Sequence, residues 1–481
     1  MKNYLTYLII FVSCLLSCDD FLDQQPGNEV SIDEQLSSKT GLEQAMAGVY
    51  SEVEEMVSGR WVVYADVQGG NLTFTPETDN LVGVPFAIEN SYDFSDTEQN
   101  SDYEGYYEGW YNVINQVNVI LERAGGASFL SNFEQEQLRA ELLTIRAFAH
   151  YFLTLHYAQN YHFTGDASHP GVVYNTQTLI PGADFPARLS LFETYQKLKA
   201  DLNEALPLFT DNTFLSSEPA YAYFNKTSCQ ALYARMALQM NDLDQANFYA
   251  NEVITNSGIV LTSTGSYVEE WEMDREPVSE AILEFSAPRN SDGTVSSSIA
   301  EFFRFIDDGN FADYVASGDL LGLYTADDIR SNMFIEEMLI TSVNQVEIAV
   351  PYYFTKKFQG NAGTTAIRLS EMYLIRAEAN ARLLNRVEAL SDLNTLRIRS
   401  GLSELTDTSD VLEEIFLERR RELAFEGHLL FDILRLKKDV IRDQGCISAI
   451  CNLSYPSNFF ILPIPFSSTG LNENIQQNEG Y

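Results

Sequence analysis

Chemistry on a protein needs nucleophiles, acids, bases or metal ligands at workable spacing, so the histidines, carboxylates and cysteines come first. The 481-residue chain holds five histidines. Four of them, His150, His156, His162 and His169, step by six or seven residues. A six-residue step turns a helix by about 240°, which scatters them off a common face. No metal site is expected from them. The sequence has no His-Glu-x-x-His, no glycine-rich phosphate loop and no nucleophile elbow. With 69 Asp and Glu residues, paired carboxylates arise by composition alone and do not argue for glycoside hydrolysis. The expectation is a protein that binds, without cofactor or catalytic residues.

The five cysteines are too few for a disulfide scaffold. Cys446 and Cys451 are close enough to pair in an oxidising compartment. Cys229 lies in an apolar helical pattern and reads as a buried thiol. Cys18 is different, because it follows an apolar leader. Lys2 precedes an apolar stretch from Tyr4 to Leu16, too short for the roughly 20 residues of a membrane helix and built like a secretory signal. Leu15-Leu16-Ser17-Cys18 resembles a bacterial lipobox. The resemblance implies cleavage of residues 1–17 and acylation of the Cys18 thiol, which anchors a chain to a membrane without a spanning helix. Residues 18–39 then form a lipidated tether.

The net charge is −39. Such a surface repels phosphate backbones, so nucleic acid is not an expected partner. A neutral ligand suits it better. A neutral sugar offers hydroxyls and a faintly apolar ring face, and a site for it wants aromatic platforms with amide or carboxylate partners.

Elements must position any such site. Thr40 with Glu43, Ser131 with Glu134, Ser190 with Glu193 and Asp410 with Glu413 read as capping boxes, each followed by apolar residues at three-and-four spacing. The pattern predicts helices at 40–57, 104–124, 132–160, 190–207, 225–240, 242–257, 369–384, 386–400 and 410–438. Gly258 and Gly401 sit where left-handed caps are expected. Periodicity breaks over 61–103 and 259–358, and only 280–286 alternates like a short strand. Ala234 and Ala246 in one helical hairpin, and Ala377 and Ala389 in another, share a twelve-residue spacing. That is the close-packing seam of a tetratricopeptide-type (TPR-type) unit. The expected fold is mainly α: a TPR-like hairpin scaffold with irregular, loop-rich insertions and a few short β-strands, in one domain over 40–481. The segment 412–438 has Glu413 and Glu414 near its start and Arg435, Lys437 and Lys438 near its end, as the helix dipole prefers, and pairs Glu418 with Arg421. It reads as one long, solvated helix.

Several stretches together resemble the SusD/RagB family of Bacteroidetes outer-membrane lipoproteins. They are "CDDFLD" (18–23), "WYNVINQVNVIL" (110–121), "LYTADDIR" (323–330), Lys357-Phe358, "RLSEMYLIRAEANARL" (368–383), the 412–438 block and "FILPIPFSSTGLNENIQQNEGY" (460–481). They follow the family's order along the whole chain. Leu429, Leu430 and Leu436 depart from its usual arginine, aromatic and tryptophan. The resemblance implies a glycan-binding protein on the cell surface, lipid-anchored to the outer membrane, that serves a SusC-like TonB-dependent transporter. Alternatives are a RagB-like peptide binder and a purely structural scaffold for the transporter. Asp19 and Asp20, directly after Cys18, resemble the surface-export signal of this bacterial group. The resemblance places ligand contacts around 66–103 and 259–324. Asp66, Asn71, Phe74, Tyr92, Phe94, Tyr103, Phe303 and Tyr314 are the candidates, while Trp271 reads as packing.

Overall fold

The computed structural model describes residues 31–481, apart from 181, 211, 216–218, 274–276 and 407–409. The leader, Cys18, Asp19 and Asp20 lie outside the described residues. Helices carry the architecture: α1 (Lys39–Ser58), α2 (Glu104–Ala124), α3 (Asn132–Tyr157), α4 (Leu191–Ala205), α5 (Lys226–Gln239), α6 (Leu243–Asn256), α7 (Leu369–Arg382), α8 (Arg386–Arg399), α9 (Val411–Glu422) and α10 (Leu429–Arg435). Consecutive helices from α1 to α8 pack on one another, and α9 packs on α7 and α8. Among the described residues no helix is long and apolar enough to cross a membrane.

Most of the expected helices stand where the periodicity placed them, and the differences have local causes. The capping boxes at Ser131–Glu134 and Ser190–Glu193 both form. That at Thr40–Glu43 does not: Ser38 caps α1 by accepting the Gly41 amide at 3.1 Å, and Lys39 reaches across to Glu134 at 2.6 Å. Asp410 caps α9 through the Glu413 amide at 3.0 Å. The seam alanines Ala234, Ala246, Ala377 and Ala389 are all fully buried, so the hairpins α5/α6 and α7/α8 close on small side chains as the TPR-type spacing requires. Gly258 and Gly401 take φ of 74° and 81°.

The largest correction concerns 410–438, which is not one helix. It breaks between α9 and α10, where Phe425 and Gly427 adopt φ of 71° and 75°. Gly427 is needed there: a Cβ at this position would sit 2.7 Å from the Val62 carbonyl oxygen. Nor is the segment solvated, since Glu418, Arg419 and Glu422 are buried in α9.

The two stretches without helical period are excursions closed at their base by packed helices. Residues 59–103 leave α1 and return to α2, which packs on α1; residues 257–368 leave α6 and return to α7, which packs on α6. The excursions meet as one lobe. Strand β1 (Leu72–Phe74) pairs antiparallel with β3 (Tyr314–Ala316), Leu72 opposite Ala316 and Phe74 opposite Tyr314. Strand β2 (Ala281–Phe285) is present as expected, but it pairs with β6 (Thr364–Arg368) and is buried on both faces. Within 259–358 stands an unexpected hairpin of two ten-residue strands, β4 (Phe334–Val343) and β5 (Val346–Thr355). Leu339, Tyr352, Phe354 and Val315 make a small core under it, with Val82, Phe305 and Phe311 packed alongside.

Candidate functional site

The charged motif residues, scattered over a hundred positions of sequence, converge on one buried ion network. Glu422, at the end of α9, is its centre. Its carboxylate accepts from Arg368 at 2.7 Å, Arg399 at 2.5 Å, Arg330 at 2.9 Å and the Tyr267 hydroxyl at 3.3 Å. Arg330 also forks onto Asp328 and reaches Glu418 at 2.7 Å. Arg368 joins Glu280 and Glu426, and the Lys357 ammonium binds Glu426 at 2.6 Å and the carbonyls of Glu422 and Ala424. Burial pushes the Glu422 carboxyl up, but Arg399, Arg368 and Arg330 outweigh it and hold it well below the usual carboxylate range. Burial pushes the Lys357 ammonium down despite Glu426. Each carboxylate here is held in ion pairs that fix the helix break and tie α9 to the base of the lobe. None is presented to solvent.

The eight candidate ligand residues are also interior, which corrects the expectation that they form a binding surface. Asp66, Asn71, Phe74, Tyr92, Phe94, Tyr103, Phe303 and Tyr314 are all buried. Asp66 accepts the Gly427 amide at 2.9 Å and the Asn71 amide at 2.7 Å, fastening the α9–α10 break; burial raises its carboxyl to about 6. Asn71 in turn accepts from Arg420 at 2.8 Å. Phe74 packs between Tyr92 and Tyr314, with centroids at 4.9 and 5.8 Å. The rings of Tyr92 and Phe94 are covered by the Arg442 guanidinium at 4.2 and 4.9 Å. The ring of Tyr103 meets Tyr64 at 4.9 Å, and Phe303 meets Phe425 at 5.2 Å. The physical reason is that excursions with little regular structure must still bury apolar area to offset their ordering entropy, and aromatics supply most area per residue. Trp271 is packing, edge-on to Phe358 at 5.4 Å. Cys229 is buried. The sulfurs of Cys446 and Cys451 lie 2.13 Å apart in a disulfide.

What the lobe offers outward is different. The loop after β1 is pinned to the hairpin: Asn80 donates to Glu347 at 3.1 Å and accepts from Thr341 at 3.2 Å. Val82 packs into the small core beneath. With the loop so anchored, Leu81 stays 55% exposed and Phe86 88% exposed. Phe86 opens a single 3-10 turn after Pro85, and Ile88 in the same turn is buried, so the turn fixes which side chain faces out. Ile306, Asp307, Asp308 and Asn310 are exposed on the neighbouring turn, whose Phe305 and Phe311 pack into the same small core. The hairpin adds Met338 and Ile340, also exposed. The exposed side chains of the lobe thus include an aromatic ring at Phe86, aliphatic groups at Leu81, Ile306, Met338 and Ile340, and carboxylate and amide acceptors at Asp307, Asp308 and Asn310. That chemistry suits a neutral, hydroxyl-rich ligand with an apolar face. Sequence reasoning missed Phe86. The only local signal was Pro85, which marks the turn.

A helical-hairpin scaffold carrying one lobe of loops and short strands is an architecture shared with solved structures. A SusD superfamily protein of Bacteroides vulgatus ATCC 8482 matches with TM-score 0.80 at 21% identity, covering 92% of this chain and 99% of that one. A SusD-like carbohydrate binding protein of the same organism matches with TM-score 0.75 at 18% identity, covering 91% and 97%. The sequence matches the SusD family over residues 341–481, and a family described as starch-binding, associating with outer membrane, over residues 20–238. SusD-like protein P25 of Formosa agariphila is 21% identical over all of this chain and 99% of its own length. The starch-binding protein SusD of Bacteroides thetaiotaomicron is 32% identical over 24% of this chain and 21% of its own. The chain belongs to the SusD/RagB family.

Proposed function

We propose that this protein captures a glycan at the cell surface and passes it, chemically unchanged, to a SusC-like TonB-dependent transporter in the outer membrane. The observation that carries the reading is Phe86, an 88% exposed ring on the turn after Pro85, in a lobe that also exposes the acceptors Asp307, Asp308 and Asn310. Family membership and the starch-binding relative support the ligand class. The Cys18 lipid would hold the chain on the membrane, and Asp19 and Asp20 would direct it outward. The helical scaffold would dock on the transporter while the lobe engages sugar.

Titration calorimetry of the purified protein against an oligosaccharide panel tests the ligand. Binding of a glycan, weakened by Phe86→Ala at unchanged melting temperature, is the expected result. No heat with any glycan, together with peptides co-purifying from cells, would replace sugar by peptide as the ligand. Cys18→Ala should release the protein from membranes. Replacing Asp19 and Asp20 by alanine should leave it anchored but protected from external protease.

A further inference from the structure

A cavity of about 60 Å³ lies where helices α3, α5 and α7 meet the α9–α10 break. It has room for about four to six water-sized atoms. Its lining includes the aromatics Trp61, Tyr106, Phe152 and Phe431 and the polar side chains Arg235, Arg419, His428, Glu371 and Glu426. The guanidiniums are short of acceptors. Arg419 is 3% exposed, yet among the described residues its side chain makes one hydrogen bond, Nε to Asp432 at 2.9 Å. Its Nη1 is buried without any acceptor. Arg235, 7% exposed, places Nε and Nη2 on Glu371 and the Ala366 carbonyl and leaves Nη1 unbonded among the described residues. The His428 ring takes part in no hydrogen bond there, and burial lowers it to about 4, so it is neutral near pH 7. Buried guanidinium N–H groups left without acceptors are costly, and such groups mark a missing water, ion or ligand.

The charges point the same way. Asp432 is shared by Arg419 and Arg435, and Glu378 by Arg435 and Arg382. Three guanidiniums thus share two carboxylates, while Arg235 and Glu371 balance each other. Glu426 also lines the cavity, but Lys357 and Arg368 hold it. We infer that this cavity binds a small monocarboxylate of about two to four carbons, its head on Arg419, Arg235 and His428 and its tail on the aromatic side chains. A pyranose is too large for the volume, so the site is separate from the glycan surface of the lobe. A halide would leave the aromatic lining unfilled.

The probe is butyrate labelled with ¹³C at the carboxyl, titrated into the purified protein and followed by NMR. A saturable shift of the carboxyl resonance is expected. It should be lost in Ala65→Leu, which adds bulk at a lining residue that takes part in none of the ion pairs, and in Arg419→Gln. Melting temperatures establish that each variant is folded. No saturable shift, or full binding retained by folded Ala65→Leu, overturns the proposal. Should both variants fail to fold, a crystal structure of the unmodified protein soaked in butyrate decides. Carboxylate density on Arg419 supports the site, and water or chloride alone overturns it. Glycan binding at the lobe is unaffected by either outcome.

Discussion

Replacing Glu422 by glutamine isolates the question of whether the charged motif is a solvated helix face or a buried keystone. The change keeps shape and volume and removes one negative charge from the centre of the network. At present the carboxylate accepts from three guanidiniums and one hydroxyl at 2.5–3.3 Å, with Glu422 fully buried. The amide retains one accepting oxygen and turns two N–H groups toward Arg368, Arg399 or Arg330. Removing one partner of a buried ion pair costs about 3–5 kcal/mol, whereas an exposed helix pair is worth about 0.3–0.5 kcal/mol. For a chain of 481 residues the unfolding entropy is about 1 kcal/mol/K, so this loss lowers Tm by about 3–5 °C. The urea midpoint should fall with unchanged slope. Glu388→Gln on the exposed start of α8 serves as control and should shift neither. If Glu422→Gln behaves like Glu388→Gln, the network contributes no net stability and the account given for the α9–α10 break is wrong.

Three further expectations can be checked alongside. Phe74→Ala should cost about 3–5 kcal/mol of stability as a buried aromatic, while Phe86→Ala should leave the urea midpoint unchanged and weaken glycan binding; the reverse pattern would mean the lobe is assembled differently. Gly427→Ala should destabilise by more than about 1 kcal/mol, since it meets the Val62 carbonyl and strains a left-handed backbone, and a neutral result in thermal melting would contradict the close approach. Stability should also respond to pH through opposing groups. Burial raises Asp66 to about 6, and Asp96 and Glu141 to about 7, so these groups bind protons more tightly when folded and their own contribution rises as pH falls from 8 toward 5. Glu371, Glu378, Glu418, Glu422 and Glu426 lie below the ordinary 4.5 because neighbouring cations outweigh burial. Their contribution is complete above 4.5 and is lost as pH falls further. The histidines oppose the raised carboxyls: burial lowers His150, His156 and His428 below the ordinary 6.5, so the unfolded chain takes up their protons first and stability is lost as pH falls through 6.5. Calorimetric Tm should therefore stay nearly level between pH 8 and 5 and fall below 4.5, and a Tm that holds from pH 5 down to pH 3 would refute the assignment.

The scaffold was legible because its information is local. Helical period and caps such as Ser131 and Ser190 act within one or two turns, and the alanine seams at 234/246 and 377/389 lie within single hairpins, twelve residues apart. The break at 425–427 was not legible from helix signals, since its cause is the Val62 carbonyl and the Asp66 carboxylate, more than three hundred residues away. Sequence separation also hid the ion network: Glu418 and Arg421 form an ordinary i, i+3 pair in sequence, and Arg330, Arg368 and Arg399, 23 to 92 residues from Glu422, make that helix an interior one. The β4–β5 hairpin was missed because Met338, Ile340 and Ile348 are apolar yet exposed, which blurs the alternation that marks a strand. Candidate ligand residues were misplaced for a related reason. Aromatics in an irregular stretch look alike whether they line a groove or fill a core, and the lobe needed most of them for its own packing.

The excursion between α6 and α7 has a consequence for how such a protein can diversify. Its two ends are brought together by helices that pack on each other whatever lies between them. Closing a loop costs entropy that grows with the logarithm of its length, about 0.6 kcal/mol for each doubling. Exposed turns within the excursion, such as 306–310, can thus lengthen or shorten for less than a single buried contact is worth, while Arg330, Lys357 and Arg368 of the same excursion stay fixed in the buried network. The exposed turns are free to change while the buried network and the helices beneath keep the same partners.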